Sequence, residues 1–112
     1  GWLKMYVKCE KLVRDKIPEI IQDKNGLPKT RILDKVEYTG ELLRKMHEET
    51  DEYARDKTVE ELADMYEVFC AIVDNSGFKM NQVVARACEK RVTNGAFKKK
   101  IYLEGYDYIS AN

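Results

Sequence analysis

Two pairs of acidic residues lie in the middle of the chain. Glu49 and Glu52 form the first pair, and Glu61 and Asp64 form the second, each with a spacing of three residues. On a helix this spacing places both side chains of a pair on one face. If the polar break at residues 55–58 joins two antiparallel helices, the four carboxylates converge, and carboxylate oxygens are the ligands that Mg²⁺ prefers. The sequence therefore predicts a magnesium site.

The second acidic pair lies within the apolar arc of its helix, above Met65, Val68 and Ala71. The alternative interpretation is a solvated acidic face, in which Glu61 serves only as the capping-box partner of Thr58. Isolated carboxylates are costly to bury, so acids in an arc that should be packed are expected to have a cation or a basic partner. The acids that mark the solvent face of this helix instead recur every seven residues: Glu60, Glu67 and Asp74.

Four helices are expected to position these side chains. Apolar periodicity and capping residues predict starts at Asp15, at residue 34 or 35, at Thr58 and at Asn81. The corresponding ends are predicted before Asn25, at Asp56, at Ser76 and at Val92. Residues 30–33 and 99–103 have β-prone character and could pair as a small β-ribbon. The predicted fold is therefore all-α, an antiparallel bundle of about four helices with that optional ribbon.

Composition limits the classes of protein to consider. The chain has 112 residues, of which 36% are charged and 44% hydrophobic, with a formal net charge of zero. This balance is typical of one folded helical domain, here residues 1–112, and not of a disordered chain. We expect residues 1–4 to be a cloning remnant, with Met5 as the candidate native start. A neutral net charge and aromatics that are not interleaved with the basic residues argue against nucleic-acid binding.

The location of the protein is predicted from what the chain lacks. Its longest unbroken apolar run, residues 68–73, is far too short to span a membrane, and no secretory signal opens the chain. The three cysteines have no metal-ligand spacing and are expected to be buried free thiols. A cytoplasmic location without membrane association is predicted.

Basic residues gather in two segments that could hold phosphates. Three of them precede the first helix: Lys11, Arg14 and Lys16. The others flank the turn at Asn94 and include Lys90, Arg91 and Lys98. Side chains of this kind beside a metal site suit a phosphate-rich ligand, although each one taken alone is also an ordinary surface charge. His47 is expected to be an exposed helix residue, and Tyr102, Tyr106 and Tyr108 are expected to pack the tail onto the core.

The combination of three motifs resembles the MazG-like all-α nucleotide pyrophosphohydrolases. These motifs are KLVRDKIPEII at residues 11–21, EETDE at residues 48–52 and ELAD at residues 61–64. The resemblance covers residues 5–106 and is strongest to the branch that is similar to phosphoribosyl-ATP pyrophosphohydrolase, a group of house-cleaning enzymes. One departure lies at the C-terminal turn, where similar proteins have Arg-Gly-Gly-Phe and this chain has Asn-Gly-Ala-Phe from Asn94 to Phe97.

The resemblance implies a magnesium-dependent enzyme. It would cleave a nucleoside triphosphate between the α and β phosphates, giving a monophosphate and pyrophosphate, with non-standard nucleotides as the expected substrates. By position, the metal ligands are Glu49, Glu52, Glu61 and Asp64, and either Glu49 or Glu48 would accept the proton of the attacking water. The resemblance also implies a homodimer or homotetramer. Two alternatives remain open: a non-catalytic helical module that binds nucleotides or proteins, and hydrolysis of phosphoribosyl-ATP itself.

Overall fold

A computed structural model describes residues 3–110 of the protein. Within these residues the regular structure consists of four helices and no strand, in the order α1 (Ile17–Asp23), α2 (Lys35–Asp56), α3 (Val59–Ser76) and α4 (Met80–Asn94). The all-α prediction with about four helices is therefore confirmed. The described chain divides after Phe78 into two compact units, the first containing α1 to α3 and the second containing α4 and the C-terminal segment.

Helix α1 ends where the sequence predicts, through a hydrogen-bonded left-handed turn. Asn25 adopts φ 66°, its N–H donates to the carbonyl of Gln22 over 3.0 Å, and the N–H of Gly26 donates to the carbonyl of Ile21 over 2.8 Å. A Cβ atom at Gly26 would collide with Cγ2 of Ile21, so only glycine fits this position.

The predicted start of α1 is wrong by one residue. The residue that precedes the helix is Lys16, not Asp15, and it provides no side-chain cap. Pro18 occupies the first turn, where its missing N–H costs no intrahelical hydrogen bond. The helix can therefore begin without a capping carboxylate.

Helices α2 and α3 form an antiparallel hairpin, which is the central element of the first unit. Asp34 caps α2 by accepting a hydrogen bond from the N–H of Glu37 over 2.9 Å, and Thr58 caps α3 by accepting from the N–H of Glu61 over 3.3 Å. The chain reverses through two residues only, with Lys57 in the left-handed region at φ 52°. So short a connection forces the helices to be neighbours, and the predicted bounds of both helices are confirmed.

The core of the hairpin is small. Among the described residues only Leu42, Val73 and Glu49 are buried. The apolar arc of α3 is wider than the face that α2 covers, so several of its large side chains stay exposed: Val59, Leu62, Tyr66 and Phe69. The hairpin alone therefore leaves much of its apolar surface in contact with water.

The second unit begins with α4, which starts one residue earlier and ends two residues later than predicted. The side chain of Gln82 accepts a hydrogen bond from the N–H of Lys79 over 2.8 Å, which accounts for the earlier start. Helix α4 ends at Gly95, which has φ 85°.

The predicted β-ribbon is wrong, because neither residues 30–33 nor residues 99–103 form a strand. A strand needs hydrogen bonds from a partner strand, and β-propensity in a short segment does not supply them. The tail tyrosines are also exposed and are not packed against a core: Tyr102, Tyr106 and Tyr108. The rings of Tyr106 and Tyr108 instead contact each other edge to face, with centroids 5.1 Å apart.

The cysteines are free, as predicted, but they are not buried. Cys9 and Cys88 are exposed, and Cys70 is half-buried. The exposure of Cys88 follows from α4, which has no buried residue. Free cysteine is often buried, but a helix with little apolar surface to cover cannot bury one.

Candidate metal centre

Three carboxylates from the two long helices lie together beside the hairpin turn. Glu49 comes from the last third of α2, and Glu61 and Asp64 come from the first two turns of α3. One oxygen of each lies within 4.8 Å of the corresponding oxygens of the other two. We call these three residues the acidic cluster. The antiparallel hairpin brings them together because the short turn places the end of α2 beside the start of α3.

Glu49 is the most deeply buried member of the acidic cluster. It is 6% exposed, whereas the helical periodicity of α2 places Glu49 at the edge of the apolar arc and predicts a carboxylate only half removed from water. Its Oε1 lies 3.4 Å from the ammonium of Lys45, one turn earlier on α2, whereas its Oε2 is buried and has no hydrogen-bond partner. A buried oxygen without a partner is rare in folded proteins, which makes this oxygen a candidate ligand atom.

Burial raises the pKa of Glu49 above its ordinary value of 4.5, and the nearby carboxylates of Glu52 and Asp64 raise it further. Lys45 acts in the opposite direction. The ionised form of Glu49 is therefore less favourable in this environment than in water, which is an electrostatic strain. A cation bound at Oε2 would remove that strain.

Glu61 is less buried than Glu49 but shares one feature with it. Its Oε2 is also buried without a hydrogen-bond partner. Burial raises its pKa first, and the adjacent carboxylate of Glu52 raises it further. Glu52, the fourth predicted ligand, thus lies beside Glu61 but outside the group whose oxygens converge.

Basic residues surround the acidic cluster on the described part of the first unit. The guanidinium of Arg14 donates a hydrogen bond from Nη2 to Oδ1 of Asp64 over 2.7 Å, joining residues that are 50 positions apart in sequence. Lys11 Nζ lies 3.5 Å from Oε1 of Glu48, and Lys45 Nζ lies 3.4 Å from the same oxygen. Two of the three predicted phosphate-binding residues before α1 are thus brought to the acids.

The charges in this region do not balance. Five carboxylates (Glu48, Glu49, Glu52, Glu61 and Asp64) face three cationic side chains (Lys11, Arg14 and Lys45). Acidic side chains therefore outnumber basic ones around the acidic cluster. Lys45 was missed by sequence reasoning, although its spacing of four residues from Glu49 is the spacing of helical ion pairs.

The remaining predicted site residues are in other places. Lys16 precedes α1 and is exposed. The predicted phosphate-binding residues of the second unit are all exposed there: Lys90, Arg91, Asn94 and Lys98. Their role stays a prediction. His47 is exposed on α2, as predicted.

The acidic cluster fits a small divalent cation. Octahedral Mg²⁺ with bonds of about 2.1 Å places adjacent ligand oxygens about 3 Å apart and opposite ones about 4.2 Å apart. The cluster oxygens lie within 4.8 Å of one another, which is close to this range. All three ligands are carboxylates, which suits a hard cation better than zinc or copper.

None of the helices in residues 3–110 combines the length and apolar character needed to cross a bilayer. No family model, no curated protein and no solved structure matches the chain.

Proposed function

We propose that the protein is a magnesium-dependent nucleoside triphosphate pyrophosphohydrolase. It would cleave the bond between the α and β phosphates of a non-standard nucleotide and release a monophosphate and pyrophosphate. The observation that supports the proposal most is the buried Oε2 of Glu49, which has no partner and belongs to a group of three converging carboxylates. The choice of reaction follows the resemblance of residues 11–21, 48–52 and 61–64 to MazG-like enzymes.

Each residue has a role in this proposal. Glu49, Glu61 and Asp64 would hold the cation, with Glu52 beside them as a fourth acid. When bound, Mg²⁺ supplies charge neutralisation of the phosphates and acidifies a coordinated water. Glu49, which belongs to the acidic cluster, or its neighbour Glu48 on α2 would accept the proton of that water.

The basic residues would bind the phosphates. Lys11 and Arg14 already lie at the acids, paired with Glu48 and Asp64. Both are about half-exposed, so a ligand can reach them from solvent. Lysine and arginine in such positions stabilise the negative charge of a departing pyrophosphate.

Activity and metal binding test the proposal together. Purified protein should release pyrophosphate from at least one member of a panel of ordinary, deoxy and damaged nucleoside triphosphates, and only with Mg²⁺ present. Glu49→Gln and Asp64→Asn should each lower kcat/KM by at least about 100-fold, because a metal ligand is lost. Glu67→Gln provides the matched control, since Glu67 is an exposed acid on the same helix as Asp64. Full turnover in both site variants would overturn the proposal.

A non-catalytic helical module that binds a protein or a nucleotide is the main rival. The exposed apolar residues of α3 favour it, because such a surface suits a protein partner. Thermal melting separates the two proposals. If the protein is the enzyme, Mg²⁺ should stabilise the folded state by RT ln(1 + [Mg²⁺]/Kd) and raise the unfolding temperature, whereas it should have little effect on a docking surface.

Hydrolysis of phosphoribosyl-ATP is the second rival, and including that compound in the substrate panel decides it.

A further inference from the structure

The ion pair between Arg14 and Asp64 joins two residues that the proposed function needs for different ligands. Asp64 would bind the cation, and Arg14 would bind phosphate. In the structure they bind each other over 2.7 Å, and the guanidinium uses Oδ1 of Asp64, a carboxylate of the acidic cluster. A divalent cation bound to Asp64 would lie close enough to a guanidinium on the same carboxylate for the two cations to repel each other.

We infer that Arg14 is a built-in counter-ion that leaves Asp64 when a divalent cation binds, and that its guanidinium then binds the phosphates of the substrate. The inference rests on the proposed function, because it requires the acidic cluster to bind the cation. Arg14 would thus neutralise Asp64 in the metal-free protein and become available to an anion only in the metal-bound protein. Anion binding would be ordered after metal binding.

The position of Arg14 in the chain permits this exchange. It lies in the irregular segment before α1, where its main chain is fixed only by the hydrogen bond from the N–H of Ile17 to its carbonyl, 3.1 Å long. Its side chain is 55% exposed. Lys45, by contrast, is 16% exposed and extends from the middle of α2, so its ammonium can remain beside Glu49. Of these two counter-ions of the acidic cluster, Arg14 is the one that can move without disturbing a long helix.

Titrations with Mg²⁺ alone and with pyrophosphate test the exchange, because Arg14→Gln should change the two affinities in opposite directions. Arg14→Gln should tighten the Kd for Mg²⁺ about 2- to 10-fold in calorimetry, because the cation no longer displaces a guanidinium. The same variant should weaken the binding of inorganic pyrophosphate to the Mg²⁺-loaded protein by about 10-fold or more, because a charge-assisted contact is lost. If Arg14 had only a structural role, its replacement would weaken the binding of both Mg²⁺ and pyrophosphate.

Arg31→Gln is the matched control. Arg31 also forms an ion pair in the first unit, with Glu37 over 2.8 Å. Glu37 lies twelve residues before Glu49 on α2, or about 18 Å along the helix axis, which exceeds the screening length at physiological salt. Removing the charge of Arg31 should therefore change neither the affinity for Mg²⁺ nor the affinity for pyrophosphate. An equal tightening of Mg²⁺ binding in both variants would show a non-specific charge effect and overturn the exchange.

A direct readout is the side-chain Nη–H signal of Arg14 in ¹⁵N NMR of the full chain, because Nη2 is the atom that donates to Asp64. Mg²⁺ should shift it toward the position of a free guanidinium, and Asp64→Asn should place it there without Mg²⁺. If the wild type binds Mg²⁺ and this signal does not move, the exchange is wrong and the metal site stands. If neither the wild type nor Arg14→Gln binds Mg²⁺ at tens of millimolar, the proposed function fails and the exchange fails with it.

Discussion

Glu49 lies seven residues after Leu42 on α2, and this spacing places both side chains on the same face of the helix. Leu42 is 3% exposed and Glu49 is 6% exposed, so α3 covers a carboxylate almost as completely as it covers a leucine. Although the ammonium of Lys45 lies 3.4 Å from Glu49, burial still raises the pKa of this carboxyl, so its ionised form is less favourable here than in water. At the scale of single residues, the first unit therefore gives up stability at the position where we propose that a cation binds.

Without metal, the free energy of unfolding should depend on pH through Glu49. Because the pKa of Glu49 is raised above 4.5 in the folded state, the folded protein binds more protons than the unfolded chain between the two pKa values. The free energy of unfolding should therefore fall as pH rises through that window. Glu49→Gln cannot titrate, so its stability should fall less, as measured by urea unfolding in EDTA from pH 4.5 to 8. Glu67→Gln should keep the wild-type slope, and an equal slope in all three proteins would contradict the prediction.

At the scale of elements, the turn between α2 and α3 determines whether the acids meet. Lys57 provides the left-handed residue that ends α2, and Thr58 provides the cap that starts α3. The N–H that Thr58 accepts belongs to Glu61, so the cap and the acidic cluster share a residue. A change in this cap would affect both the stability of α3 and the position of Glu61 in the acidic cluster.

Thr58→Ala should lower the free energy of unfolding by about 1 kcal/mol, because the N–H of Glu61 loses its acceptor. Thr58→Ser is the matched control, since serine retains the hydroxyl and should stay within a few tenths of a kcal/mol of the wild type. Urea denaturation of the three proteins measures the difference. Equal stability of the alanine and serine variants would show that this hydrogen bond does not stabilise α3.

At the scale of the whole molecule, the exposed apolar surface argues for self-association. Val59, Leu62, Tyr66 and Phe69 recur every three or four residues and follow one face of α3. They are between 38% and 71% exposed, in a protein whose described residues bury only two apolar side chains. A contiguous apolar stripe on a helical hairpin is typical of an interface that completes a four-helix bundle from two copies.

We expect the protein to sediment as a dimer or a tetramer in analytical ultracentrifugation. Tyr66→Glu should shift it toward monomer, because a charge in an apolar interface loses its hydration. Ile32→Glu is the control: Ile32 is an exposed apolar residue in the irregular segment between α1 and α2, outside the stripe. A wild-type monomer at every concentration would exclude the stripe as an interface between copies.

The sequence by itself determined the local structure of this protein. Caps at Asp34 and Thr58, the left-handed turn at Asn25 and a helical apolar period are encoded within a few residues, so the bounds of α2 and α3 could be predicted almost to the residue. That the two acids of each pair share one face of their helix could be predicted for the same reason. Local β-propensity at residues 30–33 and 99–103 failed, because a strand depends on a distant partner that propensity does not encode.

Only the tertiary structure decided which acid is buried, which oxygen has no partner and which base pairs with which acid. The sequence places Glu49 at the edge of the apolar arc of α2 and Glu52 outside it, but it predicts both as metal ligands, whereas the hairpin brings Glu49 into the acidic cluster and leaves Glu52 beside it. Arg14 meets Asp64 across 50 positions of sequence. Such contacts depend on the path of the whole first unit, because burial and long-range pairing arise from packing between segments and not from the order of residues within one.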